Sequence, residues 1–178
     1  MNTFEEVDTE YAKAIEKGVR FVLKPERVNN FSSEEVSRYE DFDPMSENQV
    51  KEIISEWKDM DNRLVAELKE SHKVIGSVGY WIDEEGHHCI DYDFNPEFGK
   101  KGYATEACKR LIRYLFETKD ISEIFGDCDV RNEASWKLME RLGFERLQRL
   151  DDQSYKNDVN NQPIMIQTYL YGLKREKQ

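Results

Sequence analysis

The apolar pattern of the chain predicts an α/β (α+β) domain around a mixed sheet. Three observations predict it. Leu64 to Asn95 reads as three strands joined by short polar turns, the pattern of an antiparallel meander. From Gly102 onward, helical and strand patterns alternate, which is how parallel strands are connected. The length of 178 residues suits one domain with one sizeable core.

Phe4 to Lys17 places Val7, Tyr11, Ala14 and Ile15 at helical spacing. A short strand pattern comes next at Arg20 to Leu23 and stops at Pro25. Ser32-Ser33-Glu34-Glu35 reads as a helix start, and Pro44 ends that segment. Ser46 caps the next helix with Gln49 as its capping-box partner, and Val50, Ile53, Ile54, Trp57 and Met60 line one face. Strands are predicted at Leu64 to Leu68 and Val74 to Ile82, with Gly76 and Gly79 marking a bulge or close packing. His87 to Asn95 puts Ile90, Tyr92 and Phe94 on one face and Asp91 and Asp93 on the other.

Pro96 to Lys101 is a loop. Gly102 to Thr118 is the strongest helix, with Ala104, Cys108, Leu111 and Leu115 as its core stripe. A strand at Ile124 to Val130, a helix at Asn132 to Leu142 ended by Gly143, and a strand at Phe144 to Leu150 come after it. Asp151 to Gln162 is a long polar loop before a terminal strand, Pro163 to Leu173.

Composition narrows function. Hydrophobic residues make up 38% and charged residues 35%, the balance of a soluble globular domain. Asp and Glu number 37 against 26 Lys and Arg, a net charge of -11, which argues against nucleic acid and anionic membrane as partners. No apolar run is long enough for a membrane helix, and the N-terminus lacks a signal-peptide pattern. Cys89, Cys108 and Cys128 are widely spaced and odd in number, which points to reducing, cytoplasmic conditions. With His72, His87 and His88 they make no zinc spacing, so no metal is expected.

The loop Pro96-Glu97-Phe98-Gly99-Lys100-Lys101-Gly102-Tyr103-Ala104 stands between a strand and a helix start. Its glycines allow close backbone approach, and the helix start offers free N–H donors and a positive dipole end to a phosphate or pyrophosphate. Gly99 to Lys119 holds six Lys or Arg and two acids, whereas Asp83 to Glu97 holds six acids and no Lys or Arg. An ordinary loop with solvated lysines fits these local features equally well. The glycine spacing is neither that of a Walker motif nor that of a dinucleotide fingerprint.

Tyr92-Asp93-Phe94-Asn95-Pro96 through Gly102-Tyr103-Ala104-Thr105-Glu106-Ala107 resembles the acetyl-CoA motif of the GCN5-related N-acetyltransferase (GNAT) superfamily. Asn132-Glu133-Ala134-Ser135 through Leu142-Gly143-Phe144 resembles the superfamily's next motif. Arg20 to Pro25 and Ser46 to Gly79 fit the ribosomal-protein N-terminal acetyltransferase branch. The likeness covers about residues 20 to 173, so residues 1–19 read as a helical extension and 20–178 as one acetyltransferase domain. The chain departs from the family at two points. Gly99 replaces the usual Arg, Gln or Trp, and Lys100 stands where a further glycine is usual.

The resemblance implies a twisted mixed sheet with a splayed parallel strand pair and acetyl-CoA as co-substrate. Phe94 then lies beside the pantetheine arm. Gly99, Lys100, Lys101, Gly102, Tyr103, Ala104 and Thr105 cradle the pyrophosphate. Asn132 and Trp136 lie near the arm, with Met139 packing close by; Trp136 and Met139 suit core packing equally. A backbone N–H near Phe94 would serve the thioester oxygen. The implied reaction is direct attack of a primary amine on the thioester, with Ser135 as the acid at the departing sulfur, Asn132 beside it and Asp93 foremost among the bases, ahead of Asp91 and Glu67. Solvated carboxylates on an exposed strand face explain Asp91 and Asp93 as well, a helix cap explains Asn132, and a buried strand position explains Cys128 better than a nucleophile does.

The acceptor is a peptide or protein N-terminus, a polyamine or an aminoglycoside-like amine. The alternative, prompted by Gly99 and the unsettled base, is a non-catalytic CoA-binding or regulatory module. Oligomeric state stays open, although the edges of such a sheet offer a homodimer surface.

Overall fold

The computed structural model describes residues 19–22, 34–40, 42–57, 62–154 and 156–176. The helix predicted over Phe4 to Lys17 lies outside these residues. The described elements are β1 (Val19–Val22), α1 (Glu34–Ser37), α2 (Glu47–Trp57), β2 (Arg63–Leu68), β3 (Val74–Ile82), β4 (His88–Phe94), a 3-10 turn (Pro96–Phe98), α3 (Tyr103–Glu117), β5 (Glu123–Asp129), α4 (Glu133–Arg141), β6 (Glu145–Gln153) and β7 (Ile166–Lys174). One seven-stranded sheet runs β1-β2-β3-β4-β5-β7-β6. All its pairs are antiparallel except β4 with β5. This is the mixed, helix-flanked sheet that the sequence predicts.

Local chemistry sets the boundaries. The Ser46 N–H donates to Gln49 Oε1 at 2.9 Å and the Gln49 N–H donates to Ser46 Oγ at 3.4 Å, the reciprocal capping box that starts α2. The Asn95 side chain accepts from the Glu97 N–H at 2.9 Å and so starts a 3-10 turn inside the predicted loop. Gly143 ends α4 in the left-handed region, with φ 93°, and its N–H donates to the Glu140 carbonyl at 3.1 Å.

The main core lies between the sheet and the helices α3 and α4. Cys108, Leu111 and Leu115 of the predicted stripe are buried there with Leu64, Val78, Ile90, Ile124, Met139 and Tyr171. On the other face, Val50 of α2 covers Val65, with Phe42, Met45 and Val74 around them. Two glycines let the strands carry large groups on both faces. The β2–β3 register jumps from Ala66 opposite Gly76 to Glu67 opposite Val74, so Ile75 is the extra residue of a bulge. Next to it, a Cβ on Gly76 would lie 2.4 Å from both the Asp93 carbonyl oxygen and the Phe94 ring. Gly79 stands between Arg63 and Asp91 in the cross-strand row, and a Cβ there would meet both side chains within 2.7 Å. The glycine lets the guanidinium of Arg63 cross the strand to Asp91.

β6 runs three residues further than the sequence predicts, to Gln153, and β7 starts later, at Ile166. β6 is the edge strand and its side chains are largely exposed, so its pairing to β7 leaves no alternation of polar and apolar residues to read.

Candidate active site

The parallel pair at the centre of the sheet is open. Cys89 of β4 pairs with Phe125 of β5, and no further register pair joins the two strands among the described residues. From there the strands diverge toward Phe94 and Asp129. Backbone donors and acceptors of β4 are thereby left facing a cleft rather than a neighbouring strand. Two cavities open at this cleft, and they differ in charge.

The first, of about 870 Å³, is lined by Phe94, Phe98, Gly99, Lys100, Gly102, Tyr103, Ala104, Thr105 and Lys109 from β4, the loop and α3, and by Ala134, Lys137 and Arg141 from α4, with Glu106 and Glu133 also on its wall. α3 has no side-chain cap; Gly102 precedes it at φ 84°, which suits a residue without Cβ. The first-turn N–H groups of α3 therefore point outward beside four cations. Arg141 donates to Thr105 Oγ1 at 3.1 Å and ties α4 to this helix start. The donor set suits a pyrophosphate.

Lys100 has φ 60°, the left-handed region in which glycine is at home. That explains the residue type usual at this position, and this chain pays the strain in return for an ammonium group at the cavity. Gly99 needs no such conformation, since its φ is -61°. Its lack of a Cβ matters because one would lie 2.9 Å from the Pro96 carbonyl oxygen. Two residues predicted to bind the cofactor fall outside both cavities. The Lys101 ammonium lies 5.8 Å from the centre of the Phe98 ring, and Trp136 packs on the core with Arg146 5.5 Å from its ring centre.

The second cavity, of about 630 Å³, lies on the α2 side of the sheet and reaches through the cleft. Its acidic lining is Glu40, Glu56, Asp91, Asp93, Asp127 and Asp129, and Arg63 is the one cation among its described lining residues. Asp91 is engaged by Arg63. Asp129 is buried, which raises its carboxyl, but the Arg131 side chain and N–H more than offset this and hold it below the usual carboxylate range. Glu67 lines neither cavity; it meets His72 Nδ1 at 2.9 Å. Of the three predicted bases, Asp91 and Asp93 stand on the cavity wall and Glu67 does not.

Asn132, Ser135 and Met139 of the second predicted motif meet Tyr92 and Cys128 at the cleft. Asn132 caps α4, accepting the Ser135 N–H at 3.2 Å. Ser135 Oγ lies 2.8 Å from the Tyr92 hydroxyl. Burial pushes the Cys128 thiol up to about 11, with the neighbouring Ser135 hydroxyl opposing the shift, so Cys128 stays a neutral thiol at pH 7. It fits strand packing and not a nucleophile. Sequence reasoning missed Lys109, Lys137 and Arg141, whose spacing was the available signal. Lys109 stands one turn below Thr105, and Lys137 and Arg141 come after Glu133 at intervals of four.

The sheet agrees with what comparison finds. The model of the acetyltransferase (GNAT) domain matches residues 24–145. An uncharacterised N-acetyltransferase of Bacillus licheniformis is 31% identical over 155 residues, which cover 82% of this chain and 84% of that one. The chain belongs to the GNAT acetyltransferase family. Among solved structures, a GNAT-family acetyltransferase from Bacillus anthracis superposes with a TM-score of 0.75 at 20% identity, over 89% of this chain and 95% of that one. A ribosomal-protein-S5-alanine acetyltransferase from Vibrio fischeri superposes with a TM-score of 0.64 at 18% identity, over 89% and 92%. At these identities the structural likeness establishes the GNAT fold.

Among the described residues no helix is long and apolar enough to cross a membrane, and no three His, Cys, Asp or Glu residues gather as a metal site.

Proposed function

We propose that the protein moves the acetyl group of acetyl-CoA to a primary amine that carries further positive charge, such as a polyamine or an aminoglycoside. The observation that supports this is the meeting of two cavities of opposite charge at the open β4–β5 pair. The basic cavity suits the phosphates, through the α3 N–H groups, Lys100, Lys109, Lys137 and Arg141. The cleft suits the pantetheine arm, which can hydrogen-bond to β4 as a strand would. The acidic cavity attracts and holds a cationic acceptor.

Acetyl-CoA supplies an activated thioester. The acceptor arrives as an ammonium ion and must lose a proton before its nitrogen can attack. Asp93 accepts that proton, directly or through one water. A C–N bond then forms at the carbonyl carbon, the oxyanion is met by a β4 backbone N–H, the attacking nitrogen gives its second proton to solvent, and the C–S bond breaks to release the CoA thiolate. Ser135 donates a hydrogen bond to the departing sulfur. Asn132 fixes the helix start that presents Ser135.

The resemblance to the ribosomal-protein N-terminal acetyltransferase branch supports a second acceptor, a peptide N-terminus. Three buried free cysteines fit a reducing, cytoplasmic setting. Calorimetry with acetyl-CoA and a thiol-release screen against spermidine, an aminoglycoside and peptides test the proposal. The expected result is 1:1 binding and release of CoA thiol with a cationic amine. Binding without turnover favours the non-catalytic CoA module, and no binding at millimolar acetyl-CoA overturns both readings.

A further inference from the structure

The hydrogen bond between β4 and α4 at the boundary of the two cavities has a consequence for Ser135. Tyr92 projects from β4 onto the helix face of the sheet, and its ring packs against the main core. Its hydroxyl lies 2.8 Å from Ser135 Oγ and 3.2 Å from the Ser135 carbonyl oxygen. The two cavities divide at this contact. Tyr92 and Ser135 line the acidic one, whereas Phe94, two residues along β4, and Ala134, one residue along α4, line the basic one. An acetyl group carried from the basic side to an acceptor on the acidic side must pass this point.

A phenol has one hydrogen to donate and Ser135 offers it two oxygens. The carbonyl sits inside the hydrogen-bond ladder of α4 and has a partner there. The hydroxyl oxygen is nearer, at 2.8 Å, and either hydroxyl can be the donor there; the arrangement inferred below has the phenol hydrogen on Oγ. Ser135 then receives at its oxygen and keeps its own hydrogen to give away. A received hydrogen bond also polarises the serine O–H and makes it a stronger donor. The backbone of Ser135 is fixed from the other end by the Asn132 side chain at 3.2 Å.

Tyr92 is suited to the task because it stays a donor. Burial keeps its phenol protonated well above its usual range; the Cys108 and Cys128 thiols and the Glu40 carboxylate work in the same direction, and the Ser135 hydrogen bond opposes the shift without cancelling it. Cys128 and Ser135 line the same cavity.

We infer that Tyr92 is a positioning residue: it holds the Ser135 hydroxyl across the cleft with its hydrogen directed at the sulfur that leaves from the thioester. The inference rests on the reading of Ser135 given above, and one experiment separates the two. The pKa of the CoA thiol in its complex with the protein is read from thiolate ultraviolet absorbance, as a difference spectrum against the free protein. It needs no acceptor and no turnover. Wild type, Ser135→Ala, Tyr92→Phe and the double variant are compared, with CoA affinity measured alongside.

A hydrogen bond to the thiolate lowers the thiol pKa by about one unit. Ser135→Ala is expected to remove this shift and Tyr92→Phe to remove most of it, while the double variant matches Ser135→Ala and CoA affinity changes less than threefold. An unshifted thiol in Ser135→Ala relative to wild type overturns the role of Ser135. A shift lost in Ser135→Ala but kept in Tyr92→Phe, or a further effect of Tyr92→Phe when Ser135 is already Ala, overturns the role of Tyr92 alone. Should Tyr92→Phe fail to fold, 3-fluorotyrosine at position 92 preserves the shape and strengthens the donor. It is expected to lower the thiol pKa further, and an unchanged value overturns the inference.

Discussion

Replacing Lys100 by glycine should move stability and cofactor affinity in opposite directions. Lys100 is exposed, has φ 60° and faces the basic cavity with Lys109, Lys137 and Arg141. The left-handed conformation costs an L-residue about 1–2 kcal/mol. Glycine removes that strain but adds roughly 0.5–1 kcal/mol of backbone freedom to the unfolded chain. The net gain is about 0.5–1 kcal/mol, which for a chain of this length is a rise in melting temperature of about 1–4 °C. The lost ammonium group acts the other way. In an exposed site, one charge beside a phosphate contributes roughly 1 kcal/mol after solvent screening, or about fivefold in the dissociation constant for CoA. Differential scanning calorimetry and titration calorimetry at low and high salt read both quantities. The affinity loss should shrink as salt rises, and Lys100→Arg should keep both wild-type values. A glycine variant that melts lower, or that binds CoA as wild type does at low salt, would refute the account of this loop.

Asp93→Asn should lower kcat/KM for the identified acceptor about 100-fold while leaving CoA affinity intact, because it removes a base and no phosphate contact. Asp91→Asn, which loosens the Arg63 pair instead, should cost much less, and equal losses would end the assignment of Asp93. Gly76→Ala should destabilise the protein by about 1–3 kcal/mol in urea titrations, since the new methyl meets backbone at Asp93 and not only a side chain; a neutral effect would contradict the close packing of β3 on β4. Stability should also fall at alkaline pH. Burial raises the thiols of Cys89 and Cys128 from 9.0 to about 11, raises that of Cys108 further, and raises the phenols of Tyr92 and Tyr171 above 10.0. Groups whose pKa is raised on folding stabilise fully below their unfolded value, so the loss should begin near pH 9 and grow through pH 11. Urea midpoints that stay level between pH 8 and 11 would show that these groups are solvated in the native state.

Much of this architecture is legible in the sequence because local and tertiary signals agree there. The α2 start is written in Ser46 and Gln49, the α3 core face in Cys108, Leu111 and Leu115, and the end of α4 in Gly143. The loop proposed to hold the phosphates is legible through its glycines. Where signals part, reading fails. The polar residues of β6 carry no burial pattern because an edge strand has little to bury. Lys101 and Lys100 are adjacent and chemically alike, and only the backbone conformation sends one to the cavity and the other to Phe98. The acidic cavity draws on Glu40, Glu56, Asp93 and Asp127 from elements far apart in the chain, so no spacing could gather them. Tyr92 reads as a core aromatic, which it is; its hydroxyl partner lies 43 residues away.

The single register pair between β4 and β5 also bears on how the sheet behaves as a mechanical object. Strands β1 to β4 form one antiparallel ribbon and β5, β7 and β6 another, and beyond Cys89 and Phe125 they are held together by the shared helix layer instead of by backbone rungs. A ligand lying in the cleft as proposed would supply the missing rungs. The sheet is then completed only while that ligand is bound, and amide exchange at residues 91–94 should report its presence as directly as any assay of the acetyl group it brings.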